Sequence, residues 1–240
     1  MKQTATVGVV CALPIEACTL THYRPEIGQT VVVNEKLLVH VSGMGENQAR
    51  IGAQKLIEKG ASALISWGTA GGLQVALGHG QLLLPNQVIH HDKSVFTVDS
   101  VLQSQLQIYM QNHIVVNQGT LLQMNRIVTS VADKFQLFNQ YQACAVDMES
   151  AAIAAVAQAA CAKFLVVRSI VDSAHMNFPH WLQNSLSAFG EVQPWSLLRK
   201  CFQPVRISEL ARIAHSFNAA RQTLRKAGVF LHRYLSSSFI

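Results

Sequence analysis

Unbroken apolar runs alternate along the chain with stretches of helical period. Thr6–Leu13, Leu37–Val41, Ala63–Trp67 and Phe164–Val171 are apolar almost throughout. Strands buried on both faces of a largely parallel sheet carry this pattern. Between them, Asn47–Lys59 places Ala49, Ala53, Leu56 and Ile57 in roughly helical phase. Ser150–Ala162 is a second helix, rich in small residues that pack tightly. Ser130–Asn139 predicts a third, Gln103–Asn112 a polar surface helix, and Ile15–Leu20 the start of another. Gln29–Leu38 reads as a hairpin turning at Asn34-Glu35-Lys36. Shorter strand pieces fall at Leu82–Leu84, at Val88–His90 and within Gly119–Val128. The succession predicts one α/β domain, and 240 residues are enough for a single sizeable core.

The polar positions at the ends of these runs carry the candidate chemistry. Leu37–Val41 runs into Ser42-Gly43-Met44-Gly45, and Ala63–Trp67 into Gly68-Thr69-Ala70-Gly71-Gly72, read here as a turn ending at Leu73. Ligands of open α/β sheets bind beyond the carboxyl ends of the strands, so these loops predict one shared rim. Glu16 follows the first run, Asp172 follows the last, and Ala145-Val146-Asp147-Met148-Glu149-Ser150 puts two carboxylates at a strand-to-helix junction. Such a pair is costly to bury without partners. The same residues can also cap a helix or a turn, and residue types alone leave both readings open.

Composition and charge narrow the classes. Half of the residues are hydrophobic and 13% are charged, which excludes a disordered chain. The apolar fraction also points to a surface covered by a partner subunit or met by an apolar ligand, and a homodimer is expected. Five cysteines without a CxxC spacing, mostly in apolar runs, read as reduced core thiols of a cytoplasmic protein. The apolar N-terminal run stops at Pro14 and Glu16, too early for a signal peptide, and no stretch approaches the ~20 apolar residues of a membrane span. His90 and His91 would alternate faces on a strand, and no other ligand spacing lies near them, so neither a metal nor a cofactor is expected.

The net charge of +6 is unevenly placed. Residues 199–240 hold eight Lys or Arg against Glu209 alone, which leaves residues 1–198 near −1. Residues 176–204 are rich in aromatics and proline. Ile207–Lys226 then predicts an amphipathic helix, with Ile207, Leu210, Ala211, Ala214, Phe217 and Leu224 on one side and Arg212, Arg221 and Arg225 elsewhere. It reads as a docked helix with a solvated basic face, or as a peripheral contact with an anionic membrane surface. No aromatic-interleaved basic motif is present, so nucleic acid is not an expected partner. The whole chain is expected to be one domain, with 176–240 as its C-terminal extension.

Taken in order, five motifs form a specific set: Val7-Gly-Val-Val-Cys-Ala-Leu-Pro-Ile-Glu16, Ser42-Gly-Met-Gly45, Gly68-Thr-Ala-Gly-Gly72, Val146-Asp-Met-Glu149 and Val166-Val-Arg-Ser-Ile-Val-Asp172. The set resembles the nucleoside phosphorylase/nucleosidase superfamily, and within it methylthioadenosine/S-adenosylhomocysteine nucleosidases, over about residues 5 to 175. The Asp-Met-Glu-Ser form and the aromatic, basic tail look more like the hopanoid-associated phosphorylase branch. The resemblance implies a three-layer sandwich, a central mixed β-sheet flanked by helices. It implies cleavage of the N-glycosidic bond of a purine nucleoside, through an oxocarbenium-like transition state. Asp172 would protonate purine N7, and Glu149 would bind the ribose 2′- and 3′-hydroxyls. Met148 would pack under the sugar, Met44 would be a further substrate contact, and Asp147 would be structural. Glu16 would activate water, flanked by Thr69 and by amides of its glycine stretch, Gly71 among them.

Three departures bear on the substrate. Val171 stands where typical nucleosidases have a serine, Ser66 stands where many phosphorylases have an arginine, and the first loop lacks an arginine. Phosphate held without an arginine is bound with less charge. Hydrolysis of a 5′-substituted adenosine is therefore the expectation. Phosphorolysis with inorganic phosphate, for example of an adenosyl-hopanoid, is the alternative, and Arg168, Arg50 or a partner subunit's arginine would favour it. A non-catalytic nucleoside-binding protein is the third reading.

Overall fold

The computed structural model describes residues 6–177 and 204–237, the side chains of 204–210 excepted. An eleven-stranded mixed sheet forms the middle layer. Strand β1 (Thr6–Cys11) lies between β3 (Leu37–Val41) and β4 (Ala61–Gly72) and runs parallel to both. Pairing on both edges places β1 inside the sheet, and helices packed on the sheet cover its faces, which is why the run is apolar after Thr6. β2 (Thr30–Asn34) closes this edge antiparallel to β3. On its far side β4 meets β10 (Ala145–Asp147), followed by β9 (Thr120–Gln123), β6 (Gln87–His90) and β7 (Val95–Thr97). β11 (Lys163–Asp172) leaves this path, pairing with β4 and with β5 (Leu82–Leu83), beyond which lies β8 (Val116–Asn117).

β4 is thus the hub of the sheet, and this corrects the expected turn. The strand does not stop at Trp67 but continues through the glycines, pairing with β11 at Gly68–Gly71 and with β10 at Gly71 and Gly72. Glycine there serves close approach. A Cβ on Gly68 would lie 2.5 Å from Arg168 Nη1 and 2.6 Å from Glu16 Oε1, so two buried side chains converge over a bare backbone. Composition alone cannot separate that use of glycine from a turn. Asp172 likewise does not follow its strand but is its last residue.

Helix α2 (Glu46–Glu58) and helix α5 (Ser150–Ala159) pack on each other and on β4. The buried Ala151, Ala152, Ala154 and Ala157 of α5 allow that close approach. In the other helical layer, α3 (Ser100–Met110) and α6 (Pro204–Ser237) pack together and on β11. α3 is not the polar surface helix expected: Leu102, Leu106 and Met110 are buried, and Asp99 caps it by accepting from the Leu102 amide at 2.7 Å. Two further helices, α1 (Pro14–Ala17) and α4 (Val131–Tyr141), sit next to the site described below.

The face of α6 also differs from expectation. Its buried stripe is Ile213, Ala220, Leu224, Ala227, Leu231 and Leu235, whereas Ala211 and Ala214 are exposed. Alanine is tolerated on either face, so it is a poor guide to phase. The docking leaves Arg212, Arg221, Arg225, Lys226 and Arg233 exposed. The aromatic segment expected at 176–204 lies, beyond Asn177, outside the described residues. Cys11 and Cys144 are core thiols, but Cys161 is exposed, and Cys201 lies outside the described residues. Among the described residues no helix is long and apolar enough to cross a membrane.

Candidate active site

Four carboxylates reach the rim from three segments: α1, the β10–α5 junction and the end of β11. Glu16 is in the single turn of α1, which starts at Pro14 directly after β1. Its Oε2 accepts from the Leu13 amide at 3.1 Å. Its Oε1 accepts from the Thr69 amide at 2.8 Å and the Thr69 hydroxyl at 2.9 Å. Burial raises the pKa of this carboxyl, against the pull of Arg168 and these hydrogen bonds.

Asp147 and Glu149, two residues apart, have different surroundings. Asp147 Oδ2 accepts from Arg168 Nε at 2.9 Å and lies 2.7 Å from Nη2. The Ser150 hydroxyl donates to the same oxygen. Arg168 Nη2 also donates to Ser66 Oγ at 2.7 Å and Ser150 Oγ at 3.1 Å. Arg168 is almost fully buried. Burial opposes its charge, but Asp147, Glu149 and Glu16 outweigh that and hold the guanidinium above its usual value. Arg168 is therefore the hub of a carboxylate network, and the other candidate phosphate ligand, Arg50, is exposed and donates to Asn47.

Glu149 occupies the N-cap position of α5, yet its side chain does not cap the helix. It turns instead to the first glycine loop, where Oε1 accepts from the Gly45 amide at 2.9 Å. Gly45 has φ +92°, a conformation that L side chains rarely adopt. Glu149 Oε2 is 3.9 Å from Arg168 Nη2. Burial and then the charge of Asp147 push the Glu149 carboxyl up to about 7, against Arg168 and the Gly45 amide.

Asp172 stands opposite Gly71, where an added Cβ would lie 3.1 Å from Asp172 Oδ1. Its Oδ2 meets Lys134 Nζ of α4. Burial raises the carboxyl's pKa and Lys134 opposes the rise. Lys134 is fully buried and also donates to the carbonyls of Ser173 at 2.8 Å and Met176 at 2.9 Å. Sequence reasoning missed Lys134. The signal was its phase, three residues before Leu137 on the apolar side of α4. Met44 and Met148 are half-buried in the segments flanking Gly45 and Glu149.

A polar cluster borders the rim. His90 Nε2 is 3.3 Å from Glu46 Oε2 and 2.8 Å from His91 Nδ1, and His90 Nδ1 is 2.9 Å from Asp92. The two imidazoles do not alternate, because His91 already belongs to the turn after β6. Among the described residues no group of three or more His, Cys, Asp or Glu could hold a metal ion.

A sequence profile described as the phosphorylase superfamily matches residues 6–192. The chain belongs to the phosphorylase superfamily. This superfamily member resembles 5′-methylthioadenosine/S-adenosylhomocysteine nucleosidases, and it is an enzyme. The nucleosidase of that name from Haemophilus ducreyi is 29% identical over 207 residues, 76% of this chain and 86% of the relative. The aminodeoxyfutalosine nucleosidase of Helicobacter pylori is 26% identical over 174 residues, covering 63% and 75%. A crystal structure of Helicobacter pylori 5′-methylthioadenosine/S-adenosylhomocysteine nucleosidase superposes with a TM-score of 0.73 at 18% identity, covering 99% of this chain and 100% of the other. That last likeness is one of fold.

Proposed function

We propose that this enzyme hydrolyses the N-glycosidic bond of a purine nucleoside, a 5′-substituted adenosine, and releases adenine. Asp172 gives its proton to N7, the C1′–N9 electron pair moves onto the base, and water attacks C1′ as the sugar develops positive charge. Glu16 takes the proton of that water. Glu149 accepts from the ribose hydroxyls, and its negative charge favours the oxocarbenium-like sugar. Met148 packs under the sugar, and Met44, Thr69 and Gly71 are further substrate contacts.

The observation that carries the reading is how Glu16 is held. Both donors of Thr69, the amide and the hydroxyl, already serve one carboxylate oxygen. Arg168, the buried cation at this end, is bound by Asp147. A phosphate dianion would have to lie against Glu16 with these donors engaged, whereas a neutral water gains a base. The names of the relatives, which are nucleosidases, support the same reaction class.

The test is release of adenine from methylthioadenosine, S-adenosylhomocysteine and a long-chain 5′-alkyl adenosine, each with and without inorganic phosphate. Release independent of phosphate is expected. Strict dependence on phosphate would establish phosphorolysis instead, and release from the alkyl substrate alone would move the substrate class toward lipid-linked nucleosides.

A further inference from the structure

Asp172 and Lys134 form a buried pair. Lys134 Nζ has three acceptors, Asp172 Oδ2 and the carbonyls of Ser173 and Met176, so all three N–H bonds of an ammonium are used and none is left for a substrate. Lys134 is therefore unsuited to touch the base directly. It binds one oxygen of Asp172 and leaves Oδ1, which lies over Gly71, as the oxygen able to carry a proton.

We propose that Lys134 is a positioning residue for the general acid: it fixes the Asp172 carboxyl with Oδ1 toward the purine and stabilises the carboxylate that remains once the proton has left. The inference rests on Asp172 being the proton donor of the proposed reaction. An isolated buried carboxyl keeps its proton too tightly to be a good acid, and an ammonium beside it strengthens the acid by favouring the conjugate base. Lys134 is the charged partner that acts on Asp172. β4 contributes Gly71 opposite it, Arg168 on β11 is engaged by Asp147, and His175 in the following loop is exposed. The same ammonium anchors the loop after β11 through two carbonyls, and the Val131 amide at the start of α4 adds a bond to Asn177 Oδ1 at 2.9 Å. Helix α4 thus braces the acid and the backbone next to it.

The test is a double-mutant cycle in the full chain, with adenine release as the readout and the pH profile of kcat/KM recorded for each protein. Lys134→Gln is expected to lower kcat ~100-fold, to change KM much less, and to move the alkaline limb upward by about one pH unit, because Asp172 then keeps its proton longer. In the Asp172→Asn background the same substitution is expected to change kcat less than about threefold, since there is no acid left for it to act on. An equal loss in both backgrounds, or a wild-type rate and profile in Lys134→Gln, overturns the inference. Wild-type activity in Asp172→Asn instead overturns the assignment of the acid, a distinguishable result. If Lys134→Gln does not fold, Lys134→Arg decides: retained charge should leave the alkaline limb in place, and an upward shift as large as a charge loss would refute the role.

Discussion

The two buried cations of the site are provided for differently. Arg168 faces Asp147, Glu149 and Glu16, one positive charge among three carboxyls, with Ser66 and Ser150 completing its hydrogen bonds. Lys134 faces one carboxyl and two backbone carbonyls. In the first cluster the guanidinium neutralises Asp147, the Ser150 hydroxyl donates to the same carboxylate, and Glu149 and Glu16 are left with raised pKa values. In the second the compensation is local, so Asp172 carries its own partner. A carboxyl is thus tuned either by distance from a shared cation or by contact with a private one. The first arrangement suits two groups that work together on sugar and water, the second a single acid.

Removing each cation in turn separates the two clusters most sharply. Arg168→Met should destabilise the fold by about 3–5 kcal/mol, because it strands buried carboxylates that cannot all take up protons. Lys134→Met should cost less, about 1–3 kcal/mol, because a single Asp172 can remain protonated. Urea midpoints of both variants at pH 7.5, a condition of ~30 nM-scale proton activity, check this, and a larger loss for Lys134→Met would invert the picture.

A smaller effect separates Glu149 from Asp147. The folded pKa of Glu149 lies above its ordinary value of 4.5, near 7, so its stability contribution is full below 4.5 and is lost as pH rises through 7. Glu149→Gln removes that loss. It should raise stability at pH 8 by about 1–3 kcal/mol, give no gain near pH 4.5, and abolish efficient nucleoside cleavage. Thermal unfolding at the two pH values reads the sign, and a gain of equal size at both would show that charge is not the cause. The smallest change is Ser150→Ala. It takes one hydroxyl from the Arg168–Asp147 pair and should cost about 1 kcal/mol with little effect on the Lys134 side. An altered pH profile in that variant would mean that the two clusters are coupled.

Much of the candidate site was legible in the residues. Glu16, Glu149 and Asp172 stood out because each is a polar exception next to an apolar strand, and the rim rule predicted that they would converge. The expected turn at Gly68–Leu73 failed because glycine permits both a turn and a strand crossed closely by buried side chains. Lys134 went unseen because a lysine in a helix is normally a solvated residue, and only a partner brought from 38 residues away makes its burial affordable.

Local pattern and residue chemistry already specified the long buried strands, β4 as far as Trp67, together with the order of the motifs and the identity of the carboxyls. Only the tertiary structure decided which carboxyl has which cation. Ion pairing across a buried sheet depends on register: β11 sets Arg168 beside Gly68 and Asp172 beside Gly71, and α4 then delivers Lys134 to the latter. Nothing local to Arg168, Lys134 or Asp172 encodes those distances, and the low dielectric that gives them their strength exists only once the chain has closed around them.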